Sequence, residues 1–339
     1  NEVSIPDVSG MSGNFPIVTP SVTLGNTVVA ANASLTVNTG IVIDGTFTNN
    51  GTVTLKDGAY LDDFSYAGAS YVGTIIIETI AANGVTNDQR FISSPVNTPN
   101  VSEIGDDLVG PWGTGLPGTN GVAVTMDDCA LATTTATSNY GNLFEFNETI
   151  INTCEKDAWV VRSSGTLENA RGYSAYLANG STFAFEGTPN TGAQSIATTN
   201  TASGVVLGQG WNLIGNPYPS PISRDDVITA GASDAQYFVT SGIYQGSFSP
   251  YLPTSNIAIA QGFQVHVNAA TTLNFDNSFR NTGAATWYQN GSWFDYKLEV
   301  SVIGNTGADK TIVFFNQDAT NSYEPMYDVT KTPSNIGRP

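Results

Sequence analysis

Apolar and polar residues alternate along most of this chain, in short runs that end at glycine, asparagine or proline. "SLTVNTG" at 34–40 returns as "TVTLKDG" at 52–58, a shift of eighteen residues. In both copies Val or Leu points one way and Ser or Thr the other, and the run then turns at Gly. "SVTLGNT" at 21–27 and "SYVGTIIIET" at 70–79 are looser relatives. Short strands repeating at this period predict stacked rungs, a β-solenoid-like unit over 21–85; a meandering hairpin sheet is the competing arrangement.

From 86 to 285 no helix-period pattern of useful length appears. Ten short β runs do, among them "RFISSPV" at 90–96, "NLFEFN" at 142–147, "YSAYLA" at 173–178, "STFAFEG" at 181–187 and "GFQVHV" at 262–267. Turn-punctuated short strands predict a β-sandwich. Asn179-Gly180 between two such runs reads as a hairpin turn. "SRDDVITAG" at 223–231 is the one helical turn expected, with Ser223 as cap and Asp225 and Asp226 at its positive end. Residues 286–339 begin a further sandwich with "YKLEVSVIG" and "KTIVFFNQ" around a "NTGAD" turn, a set too small to be stable alone. The expected fold is therefore all-β: short solenoid-like repeats followed by β-sandwich domains.

Residues 1–20 hold two apolar pieces around a Gly/Ser hinge and read as an extended arm. Val3, Ile5, Phe15, Ile17 and Val18 would be its contact residues, adding a strand to a neighbour's open sheet.

Composition sharpens this picture. Charged residues are 12 % of the 339, about half the usual share. The rest is rich in Gly, Ser, Thr and Asn, as turn-dense β-proteins are. A net charge of −18 repels phosphate backbones and anionic lipid, so nucleic acid and membrane surfaces are poor partners. The acidity suits dispersal in an extracellular medium. It also raises calcium as a cofactor, through the pairs Asp62-Asp63, Asp106-Asp107, Asp127-Asp128 and Asp225-Asp226, although none has the spacing of a calcium loop. No apolar run is long enough to span a membrane as a helix, and no basic-then-apolar leader opens the sequence.

Cys129 and Cys154 are the two cysteines. In a chain of secreted character they suggest a disulfide, which would add about 3 kcal/mol in the loop-entropy account; two buried thiols are the alternative. Zinc has poor support, with one histidine and no close cysteine pair.

"GWNLIGNPYPSP" at 210–221 poses the sharpest local question, a binding site or a corner. Turn chemistry favours a corner: Trp211 as core, Asn216-Pro217 and Tyr218-Pro219 as turn dipeptides, one of these bonds a candidate for cis, and Tyr218 held rigid with its hydroxyl available. His266 alternates with Phe263, Val265 and Val267, which places it on the opposite, solvent-facing side of its strand. A serine triad lacks a G-x-S-x-G, and no phosphate loop or dinucleotide fingerprint is present. A glycosidase needs only two carboxylates, for which Glu145, Glu186 and Asp276 in strands are candidates.

"RFISSPVN", "RGYSAYL", "GQGWNLIGNPYPSPIS", "AIAQGFQVHV" and "LNFDNSFRNTG" resemble, in this order, the central region of large secreted and cell-surface proteins of Bacteroidota exported by the type IX secretion system. "KLEVSVIGNTGADKTIVFFNQDATNSYEPMYDVTK" is similar to the domain that follows there, which usually precedes a C-terminal sorting domain that this sequence lacks. The resemblance covers roughly 34–335 and implies location better than activity. It implies an extracellular, surface-located chain. The function expected is a non-enzymatic structural protein, a self-assembling filament subunit by strand addition, whose partners are copies of itself or other surface proteins. The first alternative is an adhesin or glycan-binding module, with Tyr251, Tyr288 and Trp293 stacking on sugars. The second is an accessory domain of a secreted hydrolase. No organic cofactor is expected.

Overall fold

The computed structural model describes residues 3–7, 15–81, 88–110, 113–114, 123–126, 136–139, 142–150, 158–178, 180–201, 209–238, 248–250, 255–283, 285, 287, 297–304 and 307–314. Nearly all of its regular structure is β; among the described residues the α-helix is Arg224–Thr229.

The N-terminal region is a three-faced parallel β-solenoid of about three turns. Val3–Ile5, Thr27–Val29, Thr46–Asn49 and Ser70–Val72 stack on the first face. Ile17–Val18, Ser34–Val37, Thr52–Leu55 and Ile75–Ile80 stack on the second, and Val22–Leu24, Gly40–Ile43 and Tyr60–Asp62 on the third. Alternation explains why these runs coil. Each strand turns one side chain in two inward, and Val29, Leu35, Val37, Ile41, Phe47, Val53, Leu55 and Leu61 fill the centre. Phe47 stacks on Tyr71 of the next coil at 5.1 Å. Ser34 faces Thr52 across the ladder, the eighteen-residue shift seen in the repeat.

Other faces keep other periods. Thr27 lies opposite Phe47 and Thr46 opposite Ser70, because the corner loops differ in length. "SVTLGNT" accordingly belongs to the third face, not to the face of the repeat it resembles.

The expected arm is built into this coil in its described residues. Val3–Ile5 pairs with Thr27–Val29 and Ile17–Val18 with Thr36 and Val37, both in parallel. Ile5 and Val18 are buried in the chain's own core, Phe15 packs against it, and Ile17 points out, 63 % exposed. The alternation that suggested strand donation is satisfied within the chain. The first-coil strands are three, two and three residues long, with Pro6, Pro16 and Pro20 beside them. Short strands and prolines blunt a sheet edge.

The other end of the solenoid is closed by the rest of the protein. Thr182–Gly187 runs antiparallel along Ile75–Ile80 and ends the second face. The chain does turn at Gly180, where φ is +76°, but the strands on either side do not form a hairpin. Gly172–Leu177 pairs with Asp88–Ser93 and Leu143–Phe146, while Thr182–Gly187 crosses to the solenoid. Gly172–Leu177 already has a neighbour on each side, so Thr182–Gly187 pairs with the edge of Ile75–Ile80 instead.

Two four-stranded antiparallel sheets form the body. One orders Asp88–Ser93, Gly172–Leu177, Leu143–Phe146 and Trp159–Val161. The other orders Trp211–Gly215, Gly262–His266, Asp234–Phe238 and Phe248–Pro250. They touch backbone to backbone. A Cβ on Gly215 would lie 2.0 Å from Ser93 Cβ, so only glycine admits this approach. Ile214, Phe263, Val265, Ala235 and Tyr237 form one core, while Leu213 packs with Phe91, Phe144, Phe146, Trp159 and Tyr176 in another. A third cluster runs from the solenoid interior into this body through Ile92, Tyr173, Phe183 and Ala258. Lys297–Gly304 and Gly307–Phe314 form a separate two-stranded ribbon.

Candidate functional site

The densest polar constellation lies where "GWNLIGNPYPSP" meets the solenoid. Trp211 and Tyr218 are buried, and the stretch is a corner. Asn216 organises it. Its fully buried amide donates to the carbonyls of Ser220 (2.8 Å), Ala258 (3.1 Å) and Ile257 (3.3 Å), and its Oδ1 accepts from Tyr218 N–H at 2.9 Å. The asparagine amide carries two N–H donors beside a carbonyl acceptor, where a serine or threonine hydroxyl has a single donor. The Tyr218 hydroxyl is not available: it donates to Gly192 O at 2.7 Å, and burial pushes its pKa far up. The cis bond of the described residues is Thr19-Pro20, so both corner prolines follow trans bonds.

Arg280 locks the corner to the solenoid. Its Nη1 meets Asp63 Oδ1 at 2.6 Å, with both side chains essentially out of solvent. Nε donates to Ser220 Oγ at 2.8 Å and Nη2 to Leu61 O at 3.0 Å. Leu61 N–H donates in turn to Pro219 O at 2.8 Å, so both backbone groups of Leu61, in the last third-face strand, find partners in the body. The guanidinium lies 4.3 Å from the Phe64 ring centroid and 5.1 Å from that of Tyr218. Burial lowers its pKa and Asp63 opposes this; a guanidinium stays charged regardless.

A second cluster surrounds the one histidine. His266 is half-buried, edge-on to Trp211 at 5.4 Å, and its Nδ1 lies 2.7 Å from Ser233 Oγ. It does sit opposite Phe263 and Val265, as alternation required, but a second layer covers that side and Gln264 there is fully buried. Burial lowers the His266 pKa, against a hydrogen bond to the Gln209 carbonyl and the charge of Glu148. Glu148 is buried too. Burial alone would raise its pKa, but bonds from Gly210 N–H (3.0 Å), Thr201 N–H (2.6 Å) and Thr201 Oγ (2.8 Å) hold it lower. Chemically this resembles a serine–histidine–carboxylate set. Yet Ser233 Oγ is also 3.0 Å from His266 O, and the carboxylate is spent on the backbone. The cluster ties two loops to the sheet.

The carboxylates considered for glycoside chemistry fall on separate elements. Glu145 pairs with Arg162 at 3.6 Å, Glu186 lies exposed on the strand that closes the solenoid, and Asp276 caps a 3-10 turn by accepting from Ser278 N–H. Of the acid pairs, Asp62 accepts from the N–H groups of Phe64 and Ser65, Asp63 is held by Arg280, and Asp225 pairs with Arg224 at 3.0 Å. Among the described residues no group of three His, Cys, Asp or Glu is placed to hold a metal. A cavity of about 140 Å³ lies beside Asp57, Glu78, Ile80, Ile259 and Trp287. Three of its polar side chains are engaged: Asp57 with Ile80 N–H, Glu78 with Lys56, and the Trp287 indole N–H with Ile259 O. Cys129, Cys154, Tyr251, Tyr288 and Trp293 lie outside the described residues, as do Asp127 and Asp128.

Asp63, Arg280, Asn216 and Glu148 carry these arrangements; sequence reasoning saw Asp63 only as half of an acid pair and Asn216 only as a turn residue, and gave Arg280 and Glu148 no role. Arg280 left one trace: a rare base, one of 11 Lys and Arg, set between Phe279 and a turn.

Residues 123–244 match a domain of unknown function (DUF8693). No curated protein and no solved structure matches the chain.

Proposed function

We propose that this chain is a non-catalytic structural protein of a bacterial cell surface, working outside the cell as a rigid β-scaffold. One observation carries the reading: the most elaborate polar network joins two parts of the fold, Asp63 of the solenoid to Arg280 of the body. An enzyme invests such a network around a reacting atom, with side chains left to act on it. Here each arm of Arg280 and each polar atom of Asn216 has a partner in the protein. A shared apolar core and a strand that crosses between the parts support the same reading. The location comes from the resemblance to type IX cargo and from the acidic, charge-poor composition.

Assembly with other copies belongs to this proposal, but not through the strands Val3–Ile5 and Ile17–Val18. Both are spent within the chain, and proline stands beside them. Protease treatment of intact cells tests the whole reading. The chain is expected to be cut while cytoplasmic markers survive, and deletion of its gene is expected to change the surface layer under electron microscopy. Turnover of polysaccharide or peptide substrates by the purified chain would overturn it.

A further inference from the structure

The ribbon Lys297–Gly304/Gly307–Phe314 has strands of eight residues, the longest among the described elements, and each pairs only with the other there. Leu298, Val300 and Val313 are 51, 48 and 42 % exposed. Leu298 and Val313 are direct cross-strand partners and Val300 stands two positions on, so all three share one face. A lone two-stranded ribbon is marginal in water, and a long open edge is a template for another strand.

We infer that Lys297–Gly304 is an interaction surface for the same strand of a second copy, paired antiparallel about a two-fold axis at Val300. The choice of partner comes from the strand's own register. With Val300 on the axis, 298 meets 302, 297 meets 303 and 299 meets 301. In sequence, Leu298 then meets Val302, Lys297 meets Ile303 and Glu299 meets Ser301. Val300 meets its own copy and Leu298 meets Val302 on the exposed apolar face, and no charge meets its like. A slip of one pairing step, placing 299 on the axis, would set Glu299 against Glu299.

Charge points the same way. The chain carries −18, so two copies repel over most of their surface. The ribbon holds Lys297, Glu299, Asp309 and Lys310, which sum to zero. Such an isologous contact closes at two chains. The inference rests on the structural reading for its purpose, while its geometry is independent of it.

Sedimentation velocity on the full chain, from micromolar to about a hundredfold higher concentration, is the test. A dimer is expected, tightened by added salt as the net repulsion is screened. Val300→Lys, at an exposed position, is expected to weaken it at least tenfold without moving the thermal midpoint. Val300→Cys is expected to yield a disulfide-linked dimer whose peptide map joins residue 300 to residue 300, since cross-strand Cα atoms stand within disulfide reach. A monomer at every concentration would overturn the proposal, as would a dimer indifferent to Val300→Lys, or a Val300→Cys thiol that resists alkylation in a monomer because other residues of its own chain cover it. These outcomes concern association alone. Catalysis by the purified chain would defeat the structural reading and leave the dimer standing.

Discussion

The solenoid and the body solve burial in opposite ways. In the solenoid most inward positions are apolar, with Thr27, Asn49 and Thr79 as buried polar exceptions, and repetition satisfies the backbone: Leu35 stacks toward Val53, and Val37 toward Leu55, with the ladder between them. In the body the interior includes Asn216, Gln236, Gln264, Arg280 and Glu148, each with partners drawn from distant segments. Loss of a solenoid residue therefore costs in proportion to the volume removed. Loss of a body residue costs according to what is left behind without its partner.

The sharpest way to break this contrast is at the junction. Arg280→Met strands Asp63 in the interior and is expected to cost about 4 kcal/mol, the range for one half of a buried pair. Adding Asp63→Leu is expected to recover most of the loss, measured by denaturant unfolding. A double variant no better than Arg280→Met would show that the pair's geometry, not its charge balance, holds the junction. In the solenoid, Leu35→Ala is expected to cost about 3 kcal/mol by cavity formation. No second truncation, such as Val53→Ala, should rescue it; losses of neighbouring apolar groups accumulate.

A titration sharpens the comparison further. Glu148 is held below its ordinary pKa, so its contribution is present above about pH 4.5 and is lost as pH falls through the lower folded value. The thermal midpoint of wild type should exceed that of Glu148→Gln at neutral pH, and the gap should close in acid. A gap that widened in acid would reverse the assignment. His266 adds in the same direction: with its folded pKa lowered by burial, stability falls as pH drops through the ordinary histidine range. The smallest effect belongs to Lys56→Ala. Its bridge to Glu78 is partly exposed on the solenoid surface, so the change should stay under about 1 kcal/mol and shrink in salt.

The same contrast decides what could be read from sequence. Alternation exposed the second-face strands at 34–37 and 52–55, because one rule governs every residue there. The helix at Arg224–Thr229 was legible from its cap, and Ser223 Oγ does accept from Asp226 N–H. The arm was misread because Val3–Ile5 and Ile17–Val18 look alike whether the strand they join is their own or a neighbour's. The hairpin at Asn179-Gly180 failed for a related reason: a turn motif states that the chain reverses, not which edge it reverses onto. The Asp63–Arg280 pair was illegible because nothing local in either residue names a partner 217 positions away.

That separation also sets the order in which the protein can be completed. The coils come first along the chain, yet their closing end depends on residues 182–187, 219 and 280. A chain emerging amino-end first leaves the second-face edge open until residues 182–187 appear, and the third-face lock unmade until Arg280 does. A break in translation before residue 182 leaves that edge uncovered, so products shortened there should clump where the complete chain does not.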